Sequence, residues 1–89
     1  MSSPSSFTMY STPWCGYCHR LKSQLEREGI REGVEFEVVD IEQDPAAVEI
    51  VAAANNGNHT VPTLVFSDGT SQTNPSLLQV KGKLEQLAG

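Results

Sequence analysis

A short apolar strand that runs straight into a cysteine-bearing helix is the feature that most restricts how this chain can fold. FTMYS, residues 7–11, is bounded by Ser and Pro and is typical of a buried strand. Cys18, Leu21 and Leu25 then recur at spacings of three and four, which predicts an amphipathic helix. VEFEVVDI, residues 34–41, is rich in Val, Ile and Phe and predicts a second strand. Strands joined by a crossover helix lie parallel, so this half predicts a β-α-β unit.

The second half of the chain predicts two more helices and a hairpin. Asp44-Pro45 has the form of a helix start, with Asp as N-cap and Pro at the first helical position. TVPTLVF, residues 60–66, predicts a third strand, and SDGT, residues 67–70, a turn into a short fourth strand near residues 70–72. Asn74-Pro75 repeats the helix-start pattern. The apolar face of the last helix would comprise Leu77, Leu78, Val80, Leu84 and Leu87.

These elements together predict an α/β fold in the order β-α-β-α-β-β-α. The crossover makes the first two strands parallel, and the hairpin adds antiparallel strands. We therefore expect a four-stranded mixed sheet flanked by three helices.

Length and composition fit one small globular domain. The chain has 89 residues, of which 38% are hydrophobic, and no apolar run approaches the roughly 20 residues of a membrane span. The start lacks a basic region followed by an apolar one, so no secretory signal is visible and we expect a cytoplasmic protein. The Ser/Pro-rich head predicts a disordered tail over residues 1–6 and a single domain over residues 7–89.

The charge of the chain argues against nucleic acid as a partner. The net charge is −5, from 11 acidic and 6 basic residues, and the basic residues are scattered. Phosphate backbones are bound by a basic face, which this distribution does not provide. The acidity is typical of a solvated surface that keeps a small protein in solution.

Cys15 and Cys18 are the only cysteines, and their spacing indicates chemistry rather than structural cross-linking. A disulfide between residues three apart closes a very short loop, which removes little entropy from the unfolded chain. The two residues sit where the first strand ends and the first helix begins. At the carboxyl ends of parallel strands such a junction is a usual place for a functional site.

The two cysteines are predicted to differ in role. Cys15 lies at the helix N-terminus, where unpaired N–H groups and the helix dipole favour an anion and hence a nucleophilic thiolate. Cys18 lies one turn further, about 5–6 Å away on the same face, which is within disulfide range. We expect Cys18 to be the more buried and to act as the resolving thiol.

Haem attachment and zinc binding are the two other chemistries that WCGYCHR, residues 14–20, permits. Haem needs a second axial ligand, but Met1 is the initiator and Met9 belongs to a strand. Zinc commonly needs four ligands, and the imidazoles available are those of His19 and His59. We expect His19 to be a solvated helix residue and His59 a loop residue, with lining of the site as the alternative for His59. A redox dithiol is favoured over both metals.

WCGYC, residues 14–18, together with Thr60-Val61-Pro62, resembles the glutaredoxin group of the thioredoxin fold. The likeness spans residues 7–89. It implies that Pro62 is cis and lies against the active cysteines, and that Val61 offers its backbone N–H and C=O to a bound thiol substrate. Trp14 and Tyr17 are expected to flank the cysteines as a substrate-contacting surface.

Two departures from the pattern of glutathione-using glutaredoxins bear on the co-substrate. Those proteins usually carry Lys three residues before the first cysteine, where this chain has Thr12. They also carry a Gly-Gly and Asp-type segment after the last strand, where this chain has Thr73-Asn74-Pro75-Ser76. We expect Thr73 and Asn74 to bind substrate. With VDIE, TVPT and TNPS, the chain most resembles the mycoredoxin subfamily, which implies mycothiol rather than glutathione as co-substrate and no bound cofactor.

The function that this resemblance implies is reduction of protein–mycothiol mixed disulfides, with Cys15 as nucleophile and Cys18 as resolving thiol. The implied partners are mycothiol, mycothiolated or disulfide-bonded proteins and, indirectly, an NADPH-linked mycothiol disulfide reductase. We expect a monomer. The alternatives are an electron donor coupled to thioredoxin reductase or glutathione and, in another class, an iron–sulfur or metal-binding module.

Overall fold

The computed structural model describes residues 6–88, and its elements follow the predicted order β-α-β-α-β-β-α. The elements are β1 (Phe7–Ser11), α1 (Gly16–Arg27), β2 (Phe36–Asp40), α2 (Pro45–Ala54), β3 (Thr63–Phe66), β4 (Ser71–Thr73) and α3 (Leu77–Ala88). The predicted α/β class, four-stranded sheet and three helices are confirmed.

The sheet has the strand order β2-β1-β3-β4, so β1 lies in its interior. β1 pairs in parallel with β2, as the β-α-β prediction requires, and antiparallel with β3. β3 and β4 form the antiparallel hairpin. Because β1 is paired on both sides, its carboxyl end at Ser11 is fixed, and the cysteine loop follows directly from it.

Side chains of β1 alternate between two hydrophobic cores, one on each face of the sheet. Phe7 and Met9 face α1 and α3, and Tyr10 faces α2. The first core contains the buried residues Phe7, Met9, Leu21, Leu25, Phe36, Leu64, Phe66 and Val80. The second is smaller and contains Tyr10, Ile41, Ala47 and Val51. Both cores include residues of β1, so the helices on either face of the sheet pack against this strand.

The start of α2 agrees with its prediction, but the start of α3 does not. Asp44 caps α2 by accepting a hydrogen bond from the Ala46 N–H at 3.1 Å, and Pro45 is the first helical residue. Asn74-Pro75 does not start α3, because Asn74 has a φ of 46° and its N–H donates to the Pro62 carbonyl at 2.7 Å. A tertiary hydrogen bond therefore holds this segment out of the helix.

Ser76 caps α3 instead. Its Oγ accepts from the Gln79 N–H at 3.2 Å, and Gln79 Oε1 accepts from the Ser76 N–H at 2.8 Å. This reciprocal pair is a capping box, which pairs backbone N–H groups that the first turn of a helix leaves open.

Other predicted boundaries and faces need correction. β3 begins only at Thr63, because the Thr63 hydroxyl donates to the Thr60 carbonyl at 2.7 Å and folds residues 60–62 into a loop. Leu78 was predicted on the apolar face of α3 but is 79% exposed. It lies on the side of the helix opposite Val80, with the side chains that do pack on the core at Leu77, Val80, Leu84 and Leu87.

The predicted tail falls almost wholly outside the described residues. Ser6 is described, and its N–H donates to the Glu35 carbonyl at 2.8 Å while its own carbonyl accepts from the Ser67 N–H at 2.9 Å. Ser6, one residue before β1, is therefore hydrogen-bonded to two other segments of the chain. The division into a tail and one domain stays a prediction.

No helix within residues 6–88 is both long enough and apolar enough to cross a membrane.

Substitution of Ser76 by Ala should lower stability by about 1 kcal/mol, because it removes the side-chain half of the α3 capping box. For a domain of this size that corresponds to a fall of roughly 4–8 °C in the thermal midpoint. Ser23→Ala, on the exposed face of α1, is the matched control and should leave the midpoint unchanged or slightly raised. Circular dichroism melting curves measure both. Equal midpoints for the two variants would show that Ser76 is not the cap.

Candidate active site

Cys15 occupies the N-cap position of α1, as the sequence predicts. Its backbone is extended, with φ −82° and ψ 109°, and its Sγ accepts a hydrogen bond from the Cys18 N–H at 3.2 Å. The sulfur thus replaces the oxygen that Ser or Asp would supply at an ordinary N-cap. A sulfur in this position faces the positive end of the helix dipole, which suits a thiolate.

Cys18 lies one turn into α1 and faces the interior. Both cysteines are free thiols and both are buried, with 5% of Cys15 and 3% of Cys18 exposed, so the expected contrast in burial is slight. Burial, followed by the hydrogen bond between the two cysteine side chains, raises the pKa of Cys18 to about 12. Cys18 is therefore a protonated thiol at neutral pH.

The loop before β3 brings a backbone carbonyl to the reactive sulfur. The Val61-Pro62 peptide bond is cis, which confirms the expectation from the resemblance, and Pro62 is fully buried. The Val61 carbonyl oxygen lies 3.8 Å from Cys15 Sγ. The structure therefore places together the end of β1, the start of α1 and the loop at residues 60–62, although they are far apart in sequence.

Trp14 and Tyr17 are both exposed, at 71% and 65%, and each lines a different cleft. The Trp14 indole Nε1 donates to Glu42 Oε2 at 3.0 Å, and Glu42 follows the carboxyl end of β2. Glu42 is not among the residues that the sequence predicts for the site. Its position just beyond a parallel strand, in line with the end of β1, was the available signal.

The larger cleft, which we call the Trp14 cleft, has a volume of about 620 Å³. It is lined by Thr12, Trp14, Ile41, Glu42, Pro45, Val48, His59 and Val61. Exposed loop residue His59 thus also lines the site, which was the alternative considered for it. Most of this surface is apolar, with polar groups at Thr12, Glu42 and His59.

The smaller cleft, which we call the Tyr17 cleft, has a volume of about 380 Å³ and lies between α1 and the start of α3. Asn74 lines it together with Tyr17 and Arg20, and Arg20 is not among the residues that the sequence predicts for the site. Thr73 is not among its lining residues, and the Thr73 hydroxyl donates to Asn55 Oδ1. The predicted substrate-binding residues therefore divide between two clefts, with Trp14 and Val61 in one and Tyr17 and Asn74 in the other, while Pro62 and Thr73 line neither. Their contact with substrate stays a prediction.

Thr12 occupies the position where a lysine would otherwise be expected. The residue is 3% exposed, and its hydroxyl oxygen is buried without a hydrogen-bond partner among the described residues. Its carbonyl accepts from the Cys15 N–H at 3.2 Å. Thr12 therefore shapes the floor of the Trp14 cleft next to the nucleophile and supplies no charge to it.

His19 is exposed, as predicted for a solvated helix residue, but it also makes one contact. Its ring Nε2 lies 2.7 Å from the Pro13 carbonyl oxygen, so Nε2 must carry the hydrogen. Within residues 6–88 no group of three or more His, Cys, Asp or Glu side chains is placed to bind a metal ion.

Comparisons with known proteins agree with this geometry. The glutaredoxin family model matches residues 7–71. The chain is 48% identical over 85 residues to a Mycobacterium tuberculosis protein named provisionally as a glutaredoxin, with 96% of each chain covered. It is 43% identical over 84 residues to mycoredoxin 1 of Corynebacterium glutamicum, covering 94% of this chain and 99% of that protein.

Solved structures extend the likeness to the fold. The crystal structure of a glutaredoxin from Archaeoglobus fulgidus superposes with a TM-score of 0.68 at 26% identity, covering 88% of this chain and 84% of that one.

A thioredoxin-like sheet with a dithiol at the start of its first helix defines the class of thiol–disulfide oxidoreductases. Within that class, the chain belongs to the glutaredoxin family.

The thiol of Cys18 should titrate far above an ordinary cysteine, for which the pKa is about 8.5, because burial is the largest cause of its raised pKa. Cys15→Ser isolates this thiol, and the ultraviolet absorbance of the thiolate follows its titration. We expect no thiolate to form until the solution is strongly alkaline. Titration of the unfolded variant in denaturant is the control and should return the ordinary value. A folded-state transition near that ordinary value would contradict the structure.

Proposed function

We propose that this protein reduces mixed disulfides between proteins and mycothiol. The 43% identity to mycoredoxin 1 over nearly the full length of both chains supports a mycothiol link. The observation that carries the proposal is the chemistry of the Trp14 cleft, which is lined by Val61 next to Cys15 and contains neither Lys nor Arg.

The Trp14 cleft suits a neutral, hydroxyl-rich ligand better than a charged peptide. Neither Lys nor Arg occurs among its lining residues, and its one carboxylate, from Glu42, would repel the carboxylates of glutathione. Mycothiol instead carries an inositol–glucosamine arm. Hydroxyl groups of such an arm can hydrogen-bond with Glu42 and His59, while the exposed indole of Trp14 offers a flat apolar face.

The size of the cleft is compatible with this ligand. Small-molecule sites commonly have volumes of about 300–1,000 Å³, and the Trp14 cleft lies within that range at about 620 Å³. The mycothiol sulfur would lie at Cys15, next to the Val61 carbonyl. The sugar arm would then extend toward Glu42 and His59.

The reaction follows from the positions of the two thiols. The Cys15 thiolate attacks the mycothiol sulfur of the mixed disulfide, a new sulfur–sulfur bond forms, and the protein leaves as a thiolate that takes up a proton. A second mycothiol thiolate then attacks the mycothiol sulfur bound to Cys15 and releases Cys15 and mycothiol disulfide. Each step exchanges one disulfide for another, so electrons balance.

Cys18 provides a second way to release Cys15. Its thiol loses a proton, displaces mycothiol and forms a Cys15–Cys18 disulfide. Since burial, the largest cause, raises the pKa of Cys18, its thiolate is scarce at neutral pH, and we propose that the route through a second mycothiol predominates.

The wider setting is part of the same proposal. An NADPH-linked mycothiol disulfide reductase would regenerate mycothiol, and the protein would work as a cytoplasmic monomer on mycothiolated or disulfide-bonded proteins. A dithiol can in principle also be reduced by thioredoxin reductase, so coupling to that enzyme is the alternative that the comparison of reducing systems tests.

Replacement of each cysteine by Ser tests the proposed roles. Cys15→Ser should abolish reduction of a mycothiolated protein, because it removes the attacking sulfur. Cys18→Ser should retain much of the activity, because the route through a second mycothiol does not use Cys18. The measurement is release of mycothiol from a purified mycothiolated substrate. If Cys18→Ser were as inactive as Cys15→Ser, the monothiol route would be wrong.

A charge reversal tests the role of the Trp14 cleft in choosing the thiol. Glu42→Lys should raise kcat/KM with glutathione as co-substrate by roughly two- to fivefold, because repulsion becomes attraction at an exposed site. It should lower kcat/KM with mycothiol. Glu37→Lys, on β2 and outside the cleft lining, makes the same change in net charge and is the control. NADPH consumption with the matching disulfide reductase measures both. If the ratio of kcat/KM for mycothiol to that for glutathione were unchanged in Glu42→Lys, this cleft would have no role in the choice of thiol.

A further inference from the structure

Asn55, the residue that ends α2, joins three other parts of the fold through its side chain. Its Nδ2 donates to the Val51 carbonyl at 2.8 Å and to Thr63 Oγ1 at 3.0 Å. Its Oδ1 accepts from the hydroxyl of Thr73 at the end of β4. Both donor hydrogens and the acceptor oxygen of the amide are therefore used, which fixes the orientation of the side chain.

Thr63 carries this network to the loop beside the nucleophile. The residue is fully buried, and its hydroxyl accepts from Asn55 and donates to the Thr60 carbonyl at 2.7 Å. The hydroxyl hydrogen is thus directed at the first residue of the loop 60–62. A buried hydroxyl with both roles satisfied has one favourable orientation, because any other leaves a polar group unpaired.

The other end of the same loop is fixed as well. The Pro62 carbonyl accepts from the Asn74 N–H at 2.7 Å, and Asn74 follows Thr73, which binds Asn55. The loop is therefore attached at Thr60 and at Pro62. Between these two attachments lies Val61, whose carbonyl faces Cys15 Sγ at 3.8 Å.

We propose that Asn55 is a positioning residue for disulfide exchange: through Thr63 and Thr73 it holds the loop 60–62 so that the Val61 backbone faces Cys15. Asn55 lines neither the Trp14 cleft nor the Tyr17 cleft, so it acts without touching the substrate. The role applies to glutaredoxin-type exchange with any disulfide. It therefore stands or falls independently of whether mycothiol is the co-substrate.

The consequence for rate follows from geometry. Attack on a disulfide needs the incoming sulfur held in line with the bond that breaks, and small displacements of positioning groups reduce such rates strongly. Loosening the loop should therefore slow exchange with a disulfide. It should not slow reactions of Cys15 that make no use of the loop, such as alkylation by iodoacetamide.

The experiment compares Asn55→Ala, Thr63→Val, the double variant and Thr63→Ser. Asn58→Ala is the control, because Asn58 is exposed in the same loop region as Asn55. The probe is bis(2-hydroxyethyl) disulfide, reduced in a single turnover by the prereduced protein without any second enzyme. Rates are divided by the concentration of folded protein with titratable thiol, so that a loss of folding is not counted as a loss of rate.

We expect the second-order rate constant for the disulfide to fall about three- to tenfold in Asn55→Ala and in Thr63→Val, the range that loss of one net hydrogen bond gives. Thr63→Ser keeps the hydroxyl and should retain the wild-type rate, as should Asn58→Ala. The double variant should be little slower than the slower single variant, because both changes disable one network. The rate of alkylation by iodoacetamide should not fall in any of these variants.

Three results would overturn the proposal. One is a wild-type disulfide rate in Asn55→Ala or, if that variant does not fold, in Thr63→Val. Another is a double variant whose effect is the full product of the single effects. The third is an equal fall in the disulfide and iodoacetamide rates, which would show a general disturbance of Cys15 rather than of the loop.

Discussion

The hydrogen bond from the Cys18 N–H to Cys15 Sγ is the interaction on which the site depends. Because of this hydrogen bond the reactive sulfur is the N-cap of α1, and the reactive group therefore lies at the start of the helix. The position of that helix is in turn set by β1, which is paired on both sides in the sheet and packed on both faces. The sulfur therefore has a fixed place at the helix N-terminus, directly after the end of this strand.

The two thiols are made unequal by their surroundings rather than by their spacing. Cys15 meets an N–H group and the helix dipole, while Cys18 lies within the core and has its pKa raised by burial. The surface around Cys15 is divided as well. The Trp14 cleft is lined by the carboxylate of Glu42 and the Tyr17 cleft by the guanidinium of Arg20, so the two clefts carry side chains of opposite charge.

Local sequence patterns are sufficient to predict much of the fold and the position of the nucleophile. The strand-to-helix junction, the cap at Asp44 and the place of Cys15 each depend on neighbours within a few residues, which is why the sequence predicts them. Asn74-Pro75 has the same local form as Asp44-Pro45 yet does not start a helix, because the Asn74 N–H is bonded to Pro62. Local sequence patterns do not predict that hydrogen bond.

Two features of the site that the sequence does not predict also depend on contacts between residues far apart in the chain. Glu42 belongs to the site because it accepts a hydrogen bond from Trp14, 28 positions away. The hydroxyl of Thr73 donates a hydrogen bond to Asn55, 18 positions away. Leu78 was misplaced for a simpler reason, since the apolar stripe of α3 is narrower than a count of leucines suggests and leaves this one at the surface. Long-range side-chain partners decide only the cases of Glu42 and Thr73.

We propose that mycothiol is the co-substrate that reduces this glutaredoxin-family dithiol. The most direct measurement follows NADPH consumption with one small disulfide substrate while three reducing systems are supplied in turn: mycothiol with its disulfide reductase, glutathione with its reductase, and thioredoxin reductase alone. We expect the highest kcat/KM with mycothiol and little turnover with thioredoxin reductase alone. Efficient turnover with thioredoxin reductase and none with mycothiol would contradict this proposal.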